Sequence, residues 1–394
     1  MHTPWSKQHK RVFRHCKYSL SNSFGEPLTQ PQLQAYTQAR GDTALLQAYQ
    51  EHGLGYTPNG GSLDLKQDIA NLYDDTIQPQ HILVFPGAQV ALATACRVLS
   101  SEGHSIVFGP GYQSTVESPL IQGKNARMTI LERRPENGWQ ISISQVEQAI
   151  QPDTKFILLN EPYNPAGTLM SRQTQQELVQ LAQKHHIRIL CDEVYRLLEH
   201  NPNDRIPAMC EALPGLGLSV VTLSKPWGGC GISIGWIACS SAEMMDQLTD
   251  VQYFGTACPS RASELQAMMV LRASDAILER NLAIIRQNLL LWDGFMQRYE
   301  EWFDWVRPTA GAIGFVRFKG PMTSAELGEQ LAAEKQLSMK PSYCFTANQE
   351  DLGYFRVGFG ESKMPKALGV LIAFVEEHQE AWREAKRHQE IVND

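Results

Sequence analysis

The chain has 394 residues, of which 43% are hydrophobic and 20% are charged, and its formal net charge is −7. This length predicts a large core and about two domains, and the composition is that of an ordinary globular protein. The negative charge argues against nucleic acid or an anionic membrane as a partner, and no apolar run is long enough to cross a bilayer.

The cysteines and the N-terminal charges give the expected compartment. The eight cysteines are scattered, with no Cys-x-x-Cys pair and no histidines at zinc spacing. We therefore expect free thiols, no bound metal and a cytoplasmic protein. Basic residues precede the first acidic residue, Glu26: Lys7, Lys10, Arg11, Arg14 and Lys17. Transit peptides can begin in this way, but we prefer a polar arm that docks on the body or on a partner subunit.

Short apolar runs alternate with helical patterns through the first two thirds of the chain. The predicted strands are residues 82–85, 105–108, 155–159, 187–191, 218–222 and 236–238, and residues 90–99 are predicted to be helical. Residues 174–185 predict an amphipathic helix, for which Thr174 and Glu177 fit a capping box. This alternation is typical of an α/β fold with a mostly parallel sheet flanked by helices.

After about Ala273 the pattern changes. A long helix over 277–299 precedes predicted strands near 312–318 and 354–359, and a final helix has an apolar stripe of Leu368, Leu371, Ile372 and Val375. We predict an N-terminal arm (1–49) that is part of the small domain, a large domain (50–272) and a small C-terminal α+β domain (273–394).

Lys225 follows the apolar run 218–222 and precedes a loop with Gly228, Gly229 and Gly231. A lysine in such a place is poorly solvated, which lowers the pKa of its amine and frees the lone pair to attack a carbonyl. Taken alone, an ordinary surface lysine is the more common explanation of a Ser-Lys pair. The interpretation therefore depends on what accompanies Lys225.

Three other groups of polar residues accompany it: Asn164 in a turn with Pro165 and Gly167, Asp192 and Tyr195 after the run 187–191, and Arg356 between apolar neighbours. In this order and spacing they resemble the fold type I pyridoxal-phosphate enzymes, the class I/II aminotransferase superfamily. The resemblance extends from about residue 53 to 360. It implies pyridoxal 5′-phosphate as cofactor, a small amino-acid substrate, and a homodimer with shared active sites.

The resemblance also implies a role for each motif. Lys225 would carry the cofactor and move protons, Asp192 would pair with the ring nitrogen, and Tyr195 and Asn164 would hydrogen-bond the phenolic oxygen. Small residues at a helix start let backbone N–H groups approach a phosphate. The other implied cofactor residues are Gly87, Ala88 and Gln89 at the start of a helix, Thr222 at the phosphate, Tyr112 stacked on the ring, and Tyr56 from the partner subunit.

Arg356 matches the family arginine that clamps the substrate α-carboxylate, with Asn164 beside it. The guanidinium fork suits this task because it forms two parallel hydrogen bonds to one carboxylate. Each motif alone also has a purely structural explanation: Asp192 as a helix cap, Tyr195 as a core residue, or Arg356 as a surface residue of a strand. Only the series of motifs favours the catalytic interpretation.

One position departs from the family. An arginine usually lies eight residues after the lysine and binds the phosphate, but Ser233 stands there. The loop around it is similar to the arginine-modifying branch, which includes capreomycidine synthase, enduracididine-forming cyclodehydratases and arginine oxidase/hydroxylases. A guanidinium substrate needs acceptors, and the candidates lie in the segment of Gly25 and Glu26, which in the family often covers the active site.

These observations lead to one favoured hypothesis and two alternatives. The favoured reaction is dehydration and cyclisation of a hydroxyarginine in natural-product biosynthesis. The alternatives are an ordinary aminotransferase acting with a 2-oxo acid, and an arginine oxidase/hydroxylase. A pyridoxal-binding regulator would need a fused DNA-binding domain, and roughly 50 residues before the large domain are too few for one. The same catalytic residues serve all three reactions, so the motifs do not separate them.

Overall fold

A computed structural model describes residues 3–13, 15–100, 103–256 and 258–393. Arg14 of the basic start lies outside the described residues. The α-helices of the described part are α1 (Lys7–Phe13), α2 (Gln30–Ala39), α3 (Thr43–Glu51), α4 (Leu63–Ala70), α5 (Ala88–Leu99), α6 (Gln113–Gln122), α7 (Ile143–Ala149), α8 (Arg172–His185), α9 (Met209–Ala212), α10 (Ala242–Tyr253), α11 (Arg261–Arg272), α12 (Ser274–Arg298), α13 (Ser324–Lys335) and α14 (Met364–Asn393).

The strands are β1 (Tyr18–Ser19), β2 (Ile82–Phe85), β3 (Gly103–Gly109), β4 (Ala126–Glu132), β5 (Thr154–Asn160), β6 (Arg188–Asp192), β7 (Gly217–Thr222), β8 (Gly235–Ala238), β9 (Phe303–Trp305), β10 (Ile313–Phe318), β11 (Leu337–Ser338), β12 (Lys340–Pro341) and β13 (Tyr354–Gly358). None of the helices in this part of the chain is both long and apolar enough to cross a membrane.

The central sheet has the order β2-β8-β7-β6-β5-β3-β4. Only β8 runs antiparallel to its neighbours, β2 and β7, and the other pairs are parallel. The predicted α/β class and the six predicted strands are confirmed. Buried parallel strands are continuous apolar runs, which made them visible in the sequence. The seventh strand, β4, was not predicted, because it lies at the edge and its side chains are only partly buried.

Helix α8 begins earlier than predicted. Ser171 is its N-cap, and the Ser171 hydroxyl accepts a hydrogen bond from the backbone N–H of Thr174 at 3.0 Å. The predicted capping box at Thr174 and Glu177 is therefore wrong. The predicted apolar face is confirmed, since Leu178 and its neighbours on that face are buried.

A smaller antiparallel sheet has the order β12-β13-β10-β9. Helices α12, α13 and α14 cover it, and their apolar side chains share one core with the sheet, including Trp292, Leu331, Phe355 and Phe374. The predicted long helix and the two predicted C-terminal strands correspond to α12, β10 and β13. Their ends differ from the predictions by at most three residues.

The N-terminal segment contacts both parts of the molecule. Strand β1 pairs in parallel with β11, so residues 18–19 join the small part. Helices α2 and α3 pack on α11 instead, and Leu33 and Leu45 share a core with Leu265. The boundaries 1–49, 50–272 and 273–394 stay a prediction.

Candidate active site

One cavity of about 450 Å³ lies where the carboxyl ends of β5, β6 and β7 face the first turn of α5. Ligands of α/β sheets bind at such an edge. The cavity brings together most of the predicted site residues: Gly87, Ala88, Gln89, Tyr112, Asn164, Asp192, Tyr195, Thr222, Lys225, Ser233 and Arg356.

Lys225 lies in the loop that follows β7. Its Nζ donates a hydrogen bond to the hydroxyl of Ser23 at 3.1 Å. Burial, and then repulsion from Arg356, lower the pKa of Lys225 to about 8. A lowered pKa leaves more of the amine neutral near pH 7, which is the form that attacks a carbonyl.

Asp192 is the last residue of β6, and its side chain is buried. Its Oδ1 accepts a hydrogen bond from the backbone N–H of Val194 at 3.3 Å. Burial raises the pKa of Asp192 to about 7, although this hydrogen bond and Lys225 oppose the shift. No ion pair joins Asp192 to a cation within the described residues. A buried carboxyl in this state is stabilised by a cationic partner placed in the cavity.

The first turn of α5 and the loop after β7 form an anion cradle. Gly87, with φ +101°, turns the chain into the helix at Ala88, and the first N–H groups of a helix have no intrahelical partners. The Thr222 hydroxyl donates its one proton to the carbonyl of Ile234 at 3.0 Å, so it does not donate to a phosphate in this arrangement. Ser224, which was not predicted, also lines the cavity.

Ser233 faces the same cradle from a left-handed backbone conformation with φ +58°. If a Cβ were added to Gly87, its nearest neighbour outside the adjacent residues would be the Ser233 hydroxyl at 4.0 Å, so the space between them is open. Amides and hydroxyls line this end of the cavity. The expected replacement of a cation by a hydroxyl at Ser233 fits this arrangement.

Arg356 and Asn164 form the opposite end. Arg356 Nη1 donates to Asn164 Oδ1 at 3.2 Å, and Nη2 donates to the carbonyl of Ser21 at 2.7 Å. Arg356 Nε is buried without a hydrogen-bond partner in the described part of the chain. Unpaired buried donors are costly, so this guanidinium suits a bound carboxylate.

The turn that carries Asn164 is fixed by tight packing. Gly167 has φ +69°, and a Cβ there would lie 2.1 Å from the carbonyl oxygen of Ile313. Only glycine fits this approach. Gly167 therefore packs the turn against β10, the strand that pairs with the Arg356 strand.

The aromatic residues close the sides of the cavity. Burial raises the pKa of Tyr195 to about 12, so its phenol stays protonated and remains a donor. Gln89 Nε2 donates to the Tyr112 hydroxyl at 3.0 Å and to Ser114 Oγ at 2.9 Å. Gln89 and Tyr112 thus form one wall of the cavity.

Three predicted residues do not line this cavity. The N–H of Gly25 donates to the carbonyl of Lys225 at 2.9 Å, so Gly25 contacts the backbone and not the cavity. Glu26 Oε2 accepts from the backbone N–H of Ser362 at 2.5 Å, which corrects its predicted position as a guanidinium partner inside the site. Tyr56 is 98% exposed. Its predicted reach to a partner's cofactor stays a prediction.

Four polar residues of the cavity were not predicted as site residues: Ser23, Ser114, Ser224 and Lys340. Ser224 was the easiest of them to predict, because it directly precedes Lys225 after a predicted strand. The partner of Ser23, Lys225, is 202 residues away in the chain, and Lys340 lies in a strand of two residues, so no local pattern indicated either of them.

Residues 23–370 match the model of the family "Aminotransferase class I and II". The chain belongs to this family. It is 28% identical over 232 residues to an aspartate aminotransferase of Bacillus sp. (strain YM-2), a match covering 57% of this chain and 58% of that enzyme.

Among solved structures of aminotransferase-like folds, a PLP-dependent aminotransferase from Streptococcus suis 89-1591 has a TM-score of 0.87 and 28% identity, and the match covers 95% of this chain and 98% of that one. The PLP-dependent cyclase OrfR has a TM-score of 0.84 with 21% identity, covering 96% and 98% of the two chains. The predicted fold type I is confirmed, as are an enzyme and pyridoxal 5′-phosphate as the cofactor of this class I/II family member.

The residues present fit this cofactor. Lys225 offers an amine of lowered pKa, Asp192 a buried carboxyl with no ion-pair partner in the described part of the chain, and the start of α5 the N–H groups of a helix N-terminus. When bound, pyridoxal phosphate supplies a conjugated ring that withdraws electrons from the substrate Cα.

Proposed function

We propose that this protein is an amino-acid aminotransferase, which moves an amino group between an amino acid and a 2-oxo acid. The observation that carries the proposal is that Lys225, Asp192 and Arg356 line one cavity. This cavity combines a reactive amine, a buried acid and a carboxylate clamp, and amino transfer needs all three.

Each of these residues has a defined task. Lys225 carries the cofactor and, once released, takes the proton from the substrate Cα and returns it. Asp192 holds the cofactor's ring nitrogen in its charged form. Asn164 Oδ1 accepts a hydrogen bond from Arg356, so Asn164 Nδ2 is the group that donates to the ligand. Tyr195 donates to the cofactor's phenolic oxygen.

Arg356 orients the substrate. Its side chain is buried and fixed by Asn164 and by the Ser21 carbonyl, while Nε remains free to donate. A carboxylate bound there neutralises a buried cation and satisfies its unused donor. The substrate Cα is thereby held between this end and Lys225.

The charges in the cavity favour a substrate without a cationic side chain. The described lining residues include the cations Lys225, Lys340 and Arg356, and Asp192 is the acid among them. Asp192 is assigned to the cofactor, and the carboxylate of Glu26 binds a backbone amide elsewhere. A guanidinium side chain would therefore meet like charges and find no acceptor carboxylate.

Cyclisation of a hydroxyarginine is the second candidate. One observation favours it: Ser233 occupies the position of the family's phosphate-binding arginine, in a loop similar to the arginine-modifying branch. In that case Glu26 would have to turn from Ser362 into the cavity, and Glu26→Gln would lower selectivity for arginine derivatives without changing the cofactor spectrum.

One experiment separates the reactions. The protein loaded with pyridoxal phosphate is incubated with neutral, acidic and basic amino acids and with hydroxyarginine, each with and without pyruvate or 2-oxoglutarate, and products are identified by mass. Without an acceptor, we expect each enzyme molecule to complete a single half-turnover. With pyruvate or 2-oxoglutarate present, we expect sustained formation of the oxo acid. Sustained, acceptor-free conversion of hydroxyarginine to a dehydrated ring would replace the proposal with the cyclodehydratase, and oxygen uptake with arginine would replace it with the oxidase.

A homodimer in the cytoplasm belongs to the same proposal. The exposure of Leu54 (96%) and Tyr56 (98%) supports a partner subunit that covers this loop, since large apolar groups in a patch mark interaction sites. The cysteines Cys96, Cys191 and Cys344 are among eight free thiols, which supports a reducing compartment.

A further inference from the structure

Lys340 and Arg356 are direct neighbours across two strands. Lys340 on β12 is the register partner of Arg356 on β13 in an antiparallel pair, and both side chains line the active-site cavity. Like charges placed directly opposite each other in a sheet destabilise it. A pair of this kind inside a cavity is explained when an anionic ligand occupies the space before it.

Lys340 has no counter-ion among the residues that the structure describes. Its Nζ makes no hydrogen bond or ion pair to any residue of the ranges 3–13, 15–100, 103–256 and 258–393. Its Nζ lies 5.0 Å from the ring centre of Phe345 and 5.9 Å from that of Tyr112. Two aromatic faces attract a cation but do not replace a carboxylate.

The surroundings of Lys340 are positively charged. Burial lowers the pKa of Lys340 to about 7, and repulsion from Arg356 adds to this. His9 on α1 is affected in the same way: burial lowers its pKa to about 3, with further contributions from Lys340 and Arg356. His9 is therefore neutral near pH 7, and the groups that would attract an anion bound here are Arg356 and the protonated form of Lys340.

Lys340 also stands between two cavities. A second cavity of about 380 Å³ shares Lys340, Gln89, Tyr112 and Ser114 with the first, and Lys10 lies on its lining. No aspartate or glutamate of the described chain lines it. A substrate held by Arg356 can therefore extend past Lys340 toward a region whose charged side chains are both lysines.

We propose that Lys340 binds a second anionic group, the distal carboxylate of a dicarboxylic amino acid or of its 2-oxo acid, while Arg356 binds the α-carboxylate. This rests on the proposed aminotransferase function and specifies its substrate class. Lys340 is then the residue that distinguishes acidic from neutral side chains, and Lys10 lines the outer part of the same path.

The binding of a dicarboxylate should depend on pH. Lys340 carries its charge below its pKa, which burial and the neighbouring cations lower to about 7. Affinity is therefore highest below pH 7 and falls as pH rises through and above this value. The titratable or charged groups that act on Lys340 are Arg356, Cys344, Lys225 and Lys10, together with His9, whose pKa Lys340 helps to lower to about 3. His9 is therefore neutral throughout the range, and so is the Cys344 thiol, because burial raises its pKa to about 11.

The test compares Lys340→Met and Lys340→Arg with Lys366→Met, a control at an exposed position of α14. Glutamate and glutamine serve as amino donors of equal length, with pyruvate as acceptor. We expect Lys340→Met to lower kcat/KM for glutamate by about 10- to 100-fold, the range of one charged hydrogen bond, and for glutamine by less than about 3-fold. Lys340→Arg should keep most of the glutamate activity.

A binding measurement makes the test independent of turnover. Calorimetry with the cofactor-loaded protein compares glutarate with valerate at pH 6 and pH 8.5. We expect glutarate to bind more tightly, its advantage to shrink at pH 8.5, and Lys340→Met to remove it. Equal losses for glutamate and glutamine, or no preference of the wild-type protein for glutarate, would overturn the proposal.

Failure of this proposal differs from failure of the aminotransferase function. If the wild-type protein transaminates neutral amino acids and shows no preference for glutarate, only the role of Lys340 is wrong. If no amino acid is transaminated with any acceptor, the proposed function is wrong, and glutarate binding still decides whether Lys340 forms an anion site.

Discussion

The two ends of the active-site cavity are built in different ways. At the cofactor end, Asp192 is the last residue of the buried strand β6 and Lys225 follows the buried strand β7, so their positions result from the local order of strand and loop. At the substrate end, Arg356 and Lys340 face the cavity because β12 and β13 pair in one register. The reactive groups are thus positioned by local sequence, and the groups that recognise the substrate are positioned by long-range pairing.

Among the variants at the two ends, Lys225→Ala should have the largest effect on turnover. The variant loses the amine that carries the cofactor and moves the proton, so we expect turnover to fall by about 1,000-fold or more, since proton transfer alone contributes roughly 100- to 10,000-fold. Borohydride reduction of the wild-type protein, followed by peptide mapping, should place the pyridoxyl label on Lys225. A label on another lysine would falsify the assignment.

Asp192→Asn should have the next largest effect, about 100-fold in kcat. An amide cannot hold the positive charge at the ring nitrogen, but it can still accept the Val194 N–H, so the fold remains intact. Steady-state kinetics and thermal unfolding measure the two effects separately. Near-normal turnover in a well-folded variant would mean that Asp192 does not face the cofactor ring.

Arg356→Lys tests the other end. A point charge replaces the planar fork that bonds Asn164 and Ser21, and an ammonium cannot form two parallel hydrogen bonds to one carboxylate. We expect KM for the amino donor to rise by about 10-fold or more, with a smaller change in kcat. The matched control is Arg317→Lys, an exposed arginine on β10. A fall in kcat at unchanged KM contradicts a carboxylate clamp.

Ser233→Gly should give the smallest effect. It removes one hydroxyl from the phosphate cradle and keeps a residue that tolerates the positive φ of 58°. Loss of one neutral hydrogen bond should raise the dissociation constant of the cofactor by about 2- to 10-fold, with kcat of the loaded enzyme unchanged within about 2-fold. Equilibrium dialysis of the cofactor measures this. A loss of more than about 100-fold would mean that Ser233 carries the phosphate alone.

The strands that build the cofactor end were predictable because they are buried on both faces and appear as unbroken apolar runs. The edge strand β4 was missed, since its residues are partly buried or exposed and include Arg127 and Glu132. The start of α8 was misplaced because Ser171 and Thr174 can both cap a helix, and only the backbone conformation at Ser171 decides between them.

At the substrate end, Arg356 was found only through a family motif, and Lys340 was not found at all. Strand β12 has two residues, which is too short for any periodic pattern. Ser23 was missed for a related reason: its partner Lys225 lies 202 residues away along the chain. Glu26 was predicted inside the cavity from its position in the chain, but its carboxylate binds the Ser362 amide.

The segment from Ser21 to Gly25 joins these two ends physically. The Ser21 carbonyl accepts from Arg356, the Ser23 hydroxyl accepts from Lys225, and the Gly25 amide donates to the Lys225 carbonyl. A ligand that binds Arg356 therefore contacts a side chain that is hydrogen-bonded to the same five-residue segment that holds Lys225. Coupling free energies between two sites are reciprocal. A dicarboxylate that raises the equilibrium affinity of the protein for pyridoxal phosphate must therefore bind more tightly, by the same factor, to the loaded protein than to the empty one.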